Sequence, residues 1–418
     1  MSSFREPIRV LLIPSSDYVG HPFPQRYNHI FERLHGEDIE VHIIRFALRP
    51  KPALQTRAIM HELSVEFKCP SITQYYLANL INHNIEILNI IKQESIDVIV
   101  LSNLSPCYLV SSVKSIFKFN IGIIFDLQDY YPISAAGYLA SRNSILYPIS
   151  VAMLHNIMRH LIQGSEAISA ASRLLERLAK KLGAKRTYFI PNGIPEYFVP
   201  YRKEEGMELR ARLGLERSIV LGYVGSIEFW LDFDPILKAM EQLIIDQIPV
   251  HLILIGGKLH TSYEDRLIRR IEELKLQEYV TRMGFVKHNK LPQYIAMFDF
   301  GLMPFDINNP LNLFIEEPLK LWEYLSQEVI PLSAFLPGIL RYNKEFVYIY
   351  RNADDICTII KEYWKNKEKI SLKARKGRIY AINERVWSKI AINFKKIIYD
   401  TVKAIRSGTR SHYNSFII

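Results

Sequence analysis

Cysteine is scarce and scattered in this chain. The 418 residues include three cysteines, Cys69, Cys107 and Cys357, which lie far apart in the sequence. Such spacing predicts neither a disulfide framework nor a zinc site. We interpret all three as small buried apolar residues.

Long uninterrupted apolar runs are also missing. The longest apolar stretch, Ile145 to Ile162, contains Pro148, Arg159 and two histidines, which makes it a poor membrane-spanning helix. The first apolar run, Ile8 to Ile13, has the length of a strand and is interrupted by Arg9, so we predict no signal peptide. We therefore expect a cytoplasmic protein.

Acidic residues are outnumbered by basic ones. Lys and Arg total 53 against 43 Asp and Glu, which gives a formal charge of +10. This excess favours an acidic partner, namely a nucleotide, a nucleic acid or an anionic membrane surface, and does not choose among them. The hydrophobic fraction of 49% is typical of a globular protein, and the length suffices for two or three domains.

Short apolar runs alternate with segments of helical period along the whole chain. This alternation predicts doubly wound parallel sheets that are covered by helices on both faces, which is an α/β fold. A turn signal at Pro191-Asn192-Gly193 and a charged stretch after it divide the pattern in two. We therefore predict an N-terminal Rossmann-like domain (1–200), a linker (201–217), a second Rossmann-like domain (218–385), and a final helix with a tail (386–418). We expect the final helix to cross back to the first domain.

Ligands of parallel sheets bind beyond the carboxyl ends of the strands, so the residues that follow each apolar run are candidates. In the second domain, Gly225-Ser226 and Gly256-Gly257-Lys258 end two predicted strands. Glycines there let backbone amides approach phosphate oxygens, with Lys258 adding charge. The alternative is that glycine ends these strands for steric reasons alone.

A turn and a helix complete the candidates of the second domain. The turn at Gly284-Phe285-Val286 could hold a base through backbone contacts, or its apolar side chains could belong to the core. Pro318 predicts a helix start, which puts Lys320 in the first turn and Glu323 on the same face. A cation and a carboxylate so placed suit a nucleotide diphosphate and its ribose. The alternative is a surface ion pair.

The first domain offers carboxylates and a shaped loop. Asp126 and Asp129 follow a continuous apolar strand and could bind substrate hydroxyls or act as a base. A helix cap with a solvated aspartate is the alternative. The loop Ser15 to Arg26, which contains Gly20 and His21, should overhang the same edge.

Two other patterns have simpler interpretations. Asp232 and Asp234 have the spacing of a metal-binding pair, but Asp234 precedes Pro235, so we interpret them as a helix start and predict no metal site. The helix Arg173 to Gly183 carries leucines on one face and basic residues on another. We expect a solvated basic face, with peripheral contact to an anionic membrane as the alternative.

Taken together, the motifs resemble the GT-B glycosyltransferases, in particular the glycosyl transferases group 1 or family 4 enzymes. The resemblance covers nearly the whole chain. It is carried by the following segments: Asp126 to Pro132, Tyr188 to Ile194, Gly222 to Gly225, Gly284 to Val286, Asp299 to Pro304, and Pro318-x-Lys320-x-x-Glu323-Tyr324-Leu325 with Pro331.

The resemblance implies two domains that face a central cleft. The second would bind a nucleotide diphosphate sugar donor without metal or cofactor: Lys320 at the diphosphate, Glu323 at the ribose, and Gly284, Phe285 and Val286 at the base. Gly225, Ser226 and Lys258 are further donor-binding candidates.

The first domain would bind a saccharide or lipid-linked saccharide acceptor. Gly20, Arg26 and Asp129 are its acceptor-binding candidates, and Asp129, Asp126 and His21 are the catalytic candidates should inversion require a base. Family 4 enzymes retain the anomeric configuration, and a retaining path needs no protein base.

Two departures from the family pattern stand out. The first residue of the usual spaced glutamate pair would be Ile315, with Glu316 and Glu317 out of register. The usual Arg and Lys after the first strand of the second domain are replaced by Ser226-Ile227-Glu228; Lys258 or Arg26 could substitute.

We expect a cytoplasmic hexosyltransferase of glycan biosynthesis that retains configuration and binds no nucleic acid. A location at the cytoplasmic face of the membrane is an alternative to a free cytoplasmic enzyme. The alternatives are a nucleotide-sugar 2-epimerase of the same fold and a basic nucleic-acid-binding protein without enzymatic activity.

Overall fold

The computed structural model describes residues 6–21, 23–46, 48, 52–67, 72–102, 120–139, 144–258, 261–342 and 345–414. The chain divides into two compact units. The first unit comprises Met1–Pro191 and Ser388–Ile418, and the second comprises Asn192–Trp387.

The first unit is built around a parallel sheet with the strand order β3-β2-β1-β4-β5-β6-β7 among the residues described. Its strands are β1 (Ile8–Ile13), β2 (Ile39–Arg45), β3 (Ile59–Glu62), β4 (Val98–Ser102), β5 (Gly122–Leu127), β6 (Ala167–Ala170) and β7 (Thr187–Phe189). The helices described before residue 192 are α1 (Arg26–Leu34), α2 (Ile72–Ala78), α3 (Leu80–Gln93), α4 (Tyr131–Leu139), α5 (Leu146–Gly164) and α6 (Arg173–Lys181).

The second unit contains a parallel sheet with the order β10-β9-β8-β11-β12-β13. Its strands are β8 (Ile219–Ser226), β9 (Val250–Gly257), β10 (Val280–Gly284), β11 (Phe300–Met303), β12 (Ile330–Ala334) and β13 (Tyr348–Tyr350). Its helices are α7 (Lys203–Arg212), α8 (Asp234–Ile245), α9 (Tyr263–Glu273), α10 (Leu291–Ile295), α11 (Leu319–Ser326), α12 (Ala353–Lys365) and α13 (Lys367–Glu384).

Both sheets confirm the predicted α/β class. Central strands such as β4 and β5 are buried along their whole length, because helices cover both faces of a parallel sheet. In each sheet the strand order reverses its direction beside the first strand of the unit, β1 or β8. Such a reversal point is where open parallel sheets bind their ligands.

Two elements differ from the sequence prediction. Strand β3 was not predicted: it is a four-residue edge strand with mostly exposed side chains, so it lacks the apolar run that marks a buried strand. Residues 201–217, predicted as a linker, contain α7 and lie within the second unit. Gly206 of α7 packs so closely that a Cβ there would lie 2.5 Å from the carbonyl carbon of Ala296.

The last helix, α14 (Trp387–Asn414), packs on the first unit from Ser388 onward. The ring of Phe394 lies edge-on to Phe31, with centroids 5.4 Å apart. The hydroxyl of Tyr188 donates to Asp400 over 3.1 Å. A Cβ on Gly122 would lie 2.5 Å from the methyl carbon of Thr401, so the glycine lets the helix approach β5.

Three smaller predictions concern the cysteines, the pair Asp232 and Asp234, and membrane-spanning helices. Cys357 is a buried free cysteine, while Cys69 and Cys107 lie outside the described residues. The helix α8 begins at Asp234, whose amide donates to the carboxylate of Asp232. Among the helices that the structure describes, none combines the length and hydropathy required to cross a bilayer.

Candidate functional site

At their carboxyl ends, the parallel strands β8 and β9 are paired through glycine residues. Gly225 is paired with Gly256, and Ser226 with Gly257. Gly256 has φ +118°, and a Cβ there would lie 2.1 Å from the carbonyl oxygen of Gly225. Only glycine fits such an approach in this conformation. The strand ends therefore present backbone rather than side chains. The close approach of the two strands by itself requires glycine at position 256, which is the steric alternative.

Helix α11 places Lys320 beside this edge. Tyr324 ties the helix to the sheet, because its hydroxyl accepts from the amide of Val224 and donates to the carbonyl of Leu302. The ammonium of Lys320 lies 3.4 Å from the hydroxyl of Tyr223 and 4.7 Å from the centroid of its ring. A Cβ on Gly225 would lie 3.6 Å from the same ammonium.

The ammonium of Lys320 is partly withdrawn from solvent. Desolvation lowers the pKa of Lys320 to about 8, although the charge of Glu323 raises it. The aromatic rings of Tyr223 and Phe305 lie within cation–π distance of the ammonium, at 4.7 and 5.5 Å. A desolvated cation of this kind gains more from a nearby anion than one in bulk water does.

Glu323 does not belong to a surface ion pair. It is buried, and its carboxylate lies 3.2 Å from Nε2 of His288. The other ring nitrogen of His288, Nδ1, lies 2.5 Å from the hydroxyl of Tyr197. The histidine follows β10 in the chain, so this contact holds the turn after β10 next to α11.

The turn after β10 has one exposed and one half-buried apolar side chain. Gly284 has φ +67°, the left-handed conformation that suits glycine. Phe285 is 56% exposed. A Cβ on Gly257 would lie 3.6 Å from the ring of Phe285. Val286 packs against the core of the unit. The core alternative therefore holds for Val286 and not for Phe285.

The remaining candidates of the second unit lie at the ends of β8 and β9. The carbonyl of Ser226 accepts from the hydroxyl of Tyr223 at 2.6 Å. Lys258 is exposed, and its ammonium lies 3.4 Å from the carboxylate of Asp265. This lysine thus has a surface ion-pair partner.

The sequence departs from the family pattern at two places, and the glutamates there, Glu228, Glu316 and Glu317, are all buried. Glu316 forms an ion pair with Arg341, and Glu317 with Arg385 at 2.9 Å. Glu317 also accepts from the hydroxyl of Tyr342. Glu228 accepts from the hydroxyl of Thr261.

In the first unit, Arg26 and Asp126 bind each other. Their side chains are 4% and 1% exposed, and Nε of the arginine lies 3.3 Å from the carboxylate. Asp126 also accepts from Ser169 at 2.7 Å and from Gln128 at 3.0 Å. Arg26 donates to the carbonyl of Pro191 at 2.9 Å. The pair therefore joins α1, β5, β6 and Pro191, the last residue of the first segment, in the interior of the unit.

The loop before α1 is held by its own polar groups. The amide of Gly20 donates to buried Asp17 at 3.0 Å. Nδ1 of His21 lies 2.9 Å from the carbonyl of Phe23 and 3.1 Å from the side-chain amide of Gln25. The loop therefore has a defined shape, as its composition predicted.

Asp129 differs from Asp126 in being accessible. Its side chain is exposed beyond the end of β5. Nevertheless, surrounding protein desolvates the carboxyl group and raises the pKa of Asp129 to about 6. A carboxylate with a pKa near neutrality can accept a proton or a hydroxyl hydrogen bond under physiological conditions.

Sequence reasoning missed Tyr223, His288 and Tyr197. Tyr223 looked like one apolar residue of a buried strand, and only the packing puts its ring against Lys320. His288 is 35 residues from Glu323 and Tyr197 is 91 residues from His288. No local spacing connects residues so far apart, although His288 does follow a predicted strand.

Solved structures with the same architecture support a GT-B glycosyltransferase fold. Sucrose-phosphate synthase from Thermosynechococcus elongatus has a TM-score of 0.74 at 15% identity, with 96% of this chain and 100% of that chain covered. HepE of Anabaena in complex with UDP-glucose has a TM-score of 0.69 at 16% identity, with 95% and 100% covered. At these identities the likeness shows the fold alone.

The sequence itself matches the same class. Residues 207–376 match the family model described as Glycosyl transferases group 1. The chain is also 26% identical over 235 residues to a Bacillus subtilis (strain 168) protein described as a teichuronic acid biosynthesis glycosyltransferase, TuaH. That match covers 56% of this chain and 55% of the relative, about half of each. These matches confirm the resemblance to the glycosyl transferases group 1 family.

Proposed function

We propose that this chain transfers a hexose from a nucleotide diphosphate sugar to a saccharide or lipid-linked saccharide acceptor, with retention of configuration. The observation that carries the proposal is the position of Lys320, whose desolvated ammonium lies beside the glycine end of β8. A cation and exposed backbone at one strand end form a site for a diphosphate. The family match of residues 207–376 supports the same assignment.

The neighbouring groups complete the proposed donor site. Glu323 accepts hydrogen bonds from the ribose hydroxyls, and His288 with Tyr197 positions its carboxylate. Exposed Phe285 contacts the base, together with the backbone of Gly284 and Val286. Gly225 and Ser226 offer backbone to the diphosphate, and Lys258 can exchange Asp265 for a phosphate oxygen.

The first unit contributes the proposed acceptor site. Asp129 is its accessible carboxylate and accepts a hydrogen bond from an acceptor hydroxyl, with Gly20 and His21 in the neighbouring loop. Arg26 and Asp126 neutralise each other in the interior, so we assign them to positioning the loop and the strand end. In a retaining reaction the leaving phosphate takes the acceptor proton, and no metal is required.

The nature of the relatives guides the choice of donor. HepE of Anabaena has been solved with UDP-glucose, and TuaH is described as a teichuronic acid biosynthesis glycosyltransferase. UDP-hexoses are therefore the first donors to test, and a glycan chain at the cytoplasmic membrane face is the first acceptor.

The donor assignment is tested by a thermal-shift panel of UDP-, GDP- and ADP-hexoses on the wild type and Lys320→Ala. A donor present at about 100 times its Kd adds about 2.7 kcal/mol to the stability of the wild type. Loss of a charge-assisted hydrogen bond, about 1.5–3 kcal/mol, should weaken donor use about ten-fold to over a hundred-fold in the variant.

Lys361→Ala is the matched control, because Lys361 is a surface lysine that pairs with Asp246. It should respond to the donor as the wild type does. No shift with any nucleotide sugar, or equal donor affinity in a folded Lys320→Ala variant, would contradict the proposal. Product analysis with donor alone distinguishes transfer from 2-epimerisation.

A further inference from the structure

A cluster of two histidines and a glutamate lies on the sheet of the first unit, outside the candidate site. His42 is on β2, His61 is on the edge strand β3, and Glu94 directly follows α3. One ligand atom of each residue lies within 4.8 Å of those of the other two. The proposed transfer reaction uses none of these side chains.

The strand register brings the two histidines together. His42 is paired with Ile59, and Ile44 is paired with His61. Because side chains alternate along a strand, both histidines point to the same face of the sheet. Their rings stack 5.2 Å apart with an angle of 12° between the planes, and Nδ1 of His42 lies 2.9 Å from Nε2 of His61.

The outer nitrogen of His42 has a carboxylate partner. Nε2 of His42 lies 3.0 Å from Oε1 of Glu40, and the side chain of His42 is fully buried. With its proton on Nε2, His42 offers the lone pair of Nδ1 to the centre of the cluster. A histidine that donates one ring N–H to a carboxylate is the usual arrangement around a bound metal ion.

The charges around the cluster can accommodate a divalent cation. Besides the two histidines, the charged groups that face it are Glu40, Glu94 and Arg9, whose Nε lies 3.1 Å from Glu40. The carboxylates of Glu40 and Glu94 supply negative charge on either side of the histidine pair.

We propose that Nδ1 of His42, Nε2 of His61 and the carboxylate of Glu94 bind a divalent transition-metal ion of the Zn²⁺ type, with water as a further ligand. Two histidines and one glutamate are an established ligand set for this ion. The ion fastens β3 and the end of α3 to β2, and thereby strengthens an edge of four mostly exposed residues.

Binding requires a small rearrangement. In a tetrahedral site with bonds of about 2.0–2.1 Å, two ligand nitrogens lie about 3.3 Å apart. The nitrogens of His42 and His61 must therefore separate slightly from their 2.9 Å contact. The proton that they share leaves, or moves to Nδ1 of His61, when the ion binds.

The experiment is a calorimetric titration of the metal-free, full-length protein with ZnCl₂. We expect one equivalent of Zn²⁺ to bind the wild type and to raise its melting temperature. His61→Ala and Glu94→Ala should each lose this equivalent and the thermal shift. Glu40→Gln should bind Zn²⁺ about 10- to 100-fold more weakly, because it removes the charged partner of a ligand.

His251→Ala is the matched control. Like His42, His251 forms a hydrogen bond from one strand to a neighbouring edge strand, to the hydroxyl of Thr281 at 2.8 Å. The His251→Ala variant should bind Zn²⁺ as the wild type does. Co²⁺ in place of Zn²⁺ reports the geometry, since nitrogen and oxygen ligands in a tetrahedron give visible absorption bands. Absence of a stoichiometric equivalent in the wild type overturns the proposal, as does binding unchanged by both His61→Ala and Glu94→Ala.

Discussion

At the scale of single residues, Lys320 and Asp129 are two proposed site residues whose pKa values are shifted toward neutrality. Desolvation is the main cause in both cases: it lowers the pKa of Lys320 to about 8 and raises that of Asp129 to about 6. Burial penalises the charged form of either group, so the two pKa values shift in opposite directions toward pH 7.

These shifts predict a bell-shaped pH profile for transfer. The carboxylate of Asp129 is present above about pH 6 and the ammonium of Lys320 below about pH 8, so kcat/KM should fall outside this window. Initial rates from pH 5 to 9 measure the profile. In Asp129→Asn the acid limb should disappear while the alkaline limb remains.

Asp129→Asn should also separate acceptor from donor effects. Loss of a hydrogen bond to a charged group should lower kcat/KM for the acceptor about ten-fold to a hundred-fold. Donor affinity, measured by calorimetry, should stay at the wild-type value, because Asp129 lies in the first unit. An equal loss of donor affinity would contradict the acceptor role.

At the scale of elements, packing between helix and sheet in the second unit depends on two paired glycines. Gly222 of β8 and Gly301 of β11 are partners in the sheet. A Cβ on Gly222 would lie 2.0 Å from the ring of Phe298, and one on Gly301 would lie 2.3 Å from the ring of Tyr324. The ring of Tyr324 occupies the space that a side chain at position 301 would need, and its hydroxyl accepts from the amide of Val224.

Gly222→Ala should therefore destabilise the second unit. Inserting a methyl group into a packed core costs about 1–3 kcal/mol, because the buried ring of Phe298 must move. The midpoint of urea unfolding measures the change. Gly36→Ala is the control, since no atom lies within 4 Å of its added Cβ. A wild-type midpoint for Gly222→Ala would show that the ring yields freely.

Elements differ in how far they could be predicted. The buried strands were predicted because helices on both faces require continuous apolar runs, such as Ile121 to Leu127. Edge strand β3 has no such requirement, and its pairing with β2 depends on residues that are distant in sequence. The largely charged surface of α7 predicts a linker, whereas its packing depends on distant residues: Gly206 lies against Ala296, and Arg210 forms an ion pair with buried Asp299.

At the scale of the whole molecule, the second unit is continuous in sequence and closed at its ends. Ile194 forms a parallel bridge with Val386. The amide of Ile194 donates to the backbone carbonyl of Arg385 at 2.6 Å, and the carbonyl of Ile194 accepts from the backbone amide of Trp387 at 3.0 Å. The hydrophobic core of this unit runs from Ile194 to Val386. The first unit, in contrast, requires residues from both ends of the chain.

This difference predicts the behaviour of separated fragments. Residues 192–387 expressed alone should unfold cooperatively in urea, because their core is complete. Residues 1–191 alone should not, because they lack Phe394 and the rest of α14 on their surface. A fusion of 1–191 to 388–418 through a flexible linker should restore cooperative unfolding. Cooperative unfolding of 1–191 by itself would contradict the dependence on α14.

The sequence by itself determined the α/β class, the two parallel sheets and the candidate status of Lys320 and Glu323. These features depend on local periods and short spacings, such as three residues on one helix face. Tertiary structure alone decided which partners these residues have. It placed Tyr223 against Lys320 and His288 against Glu323, and it buried Arg26 with Asp126. Such contacts join residues dozens of positions apart, and chain folding rather than local spacing brings them together.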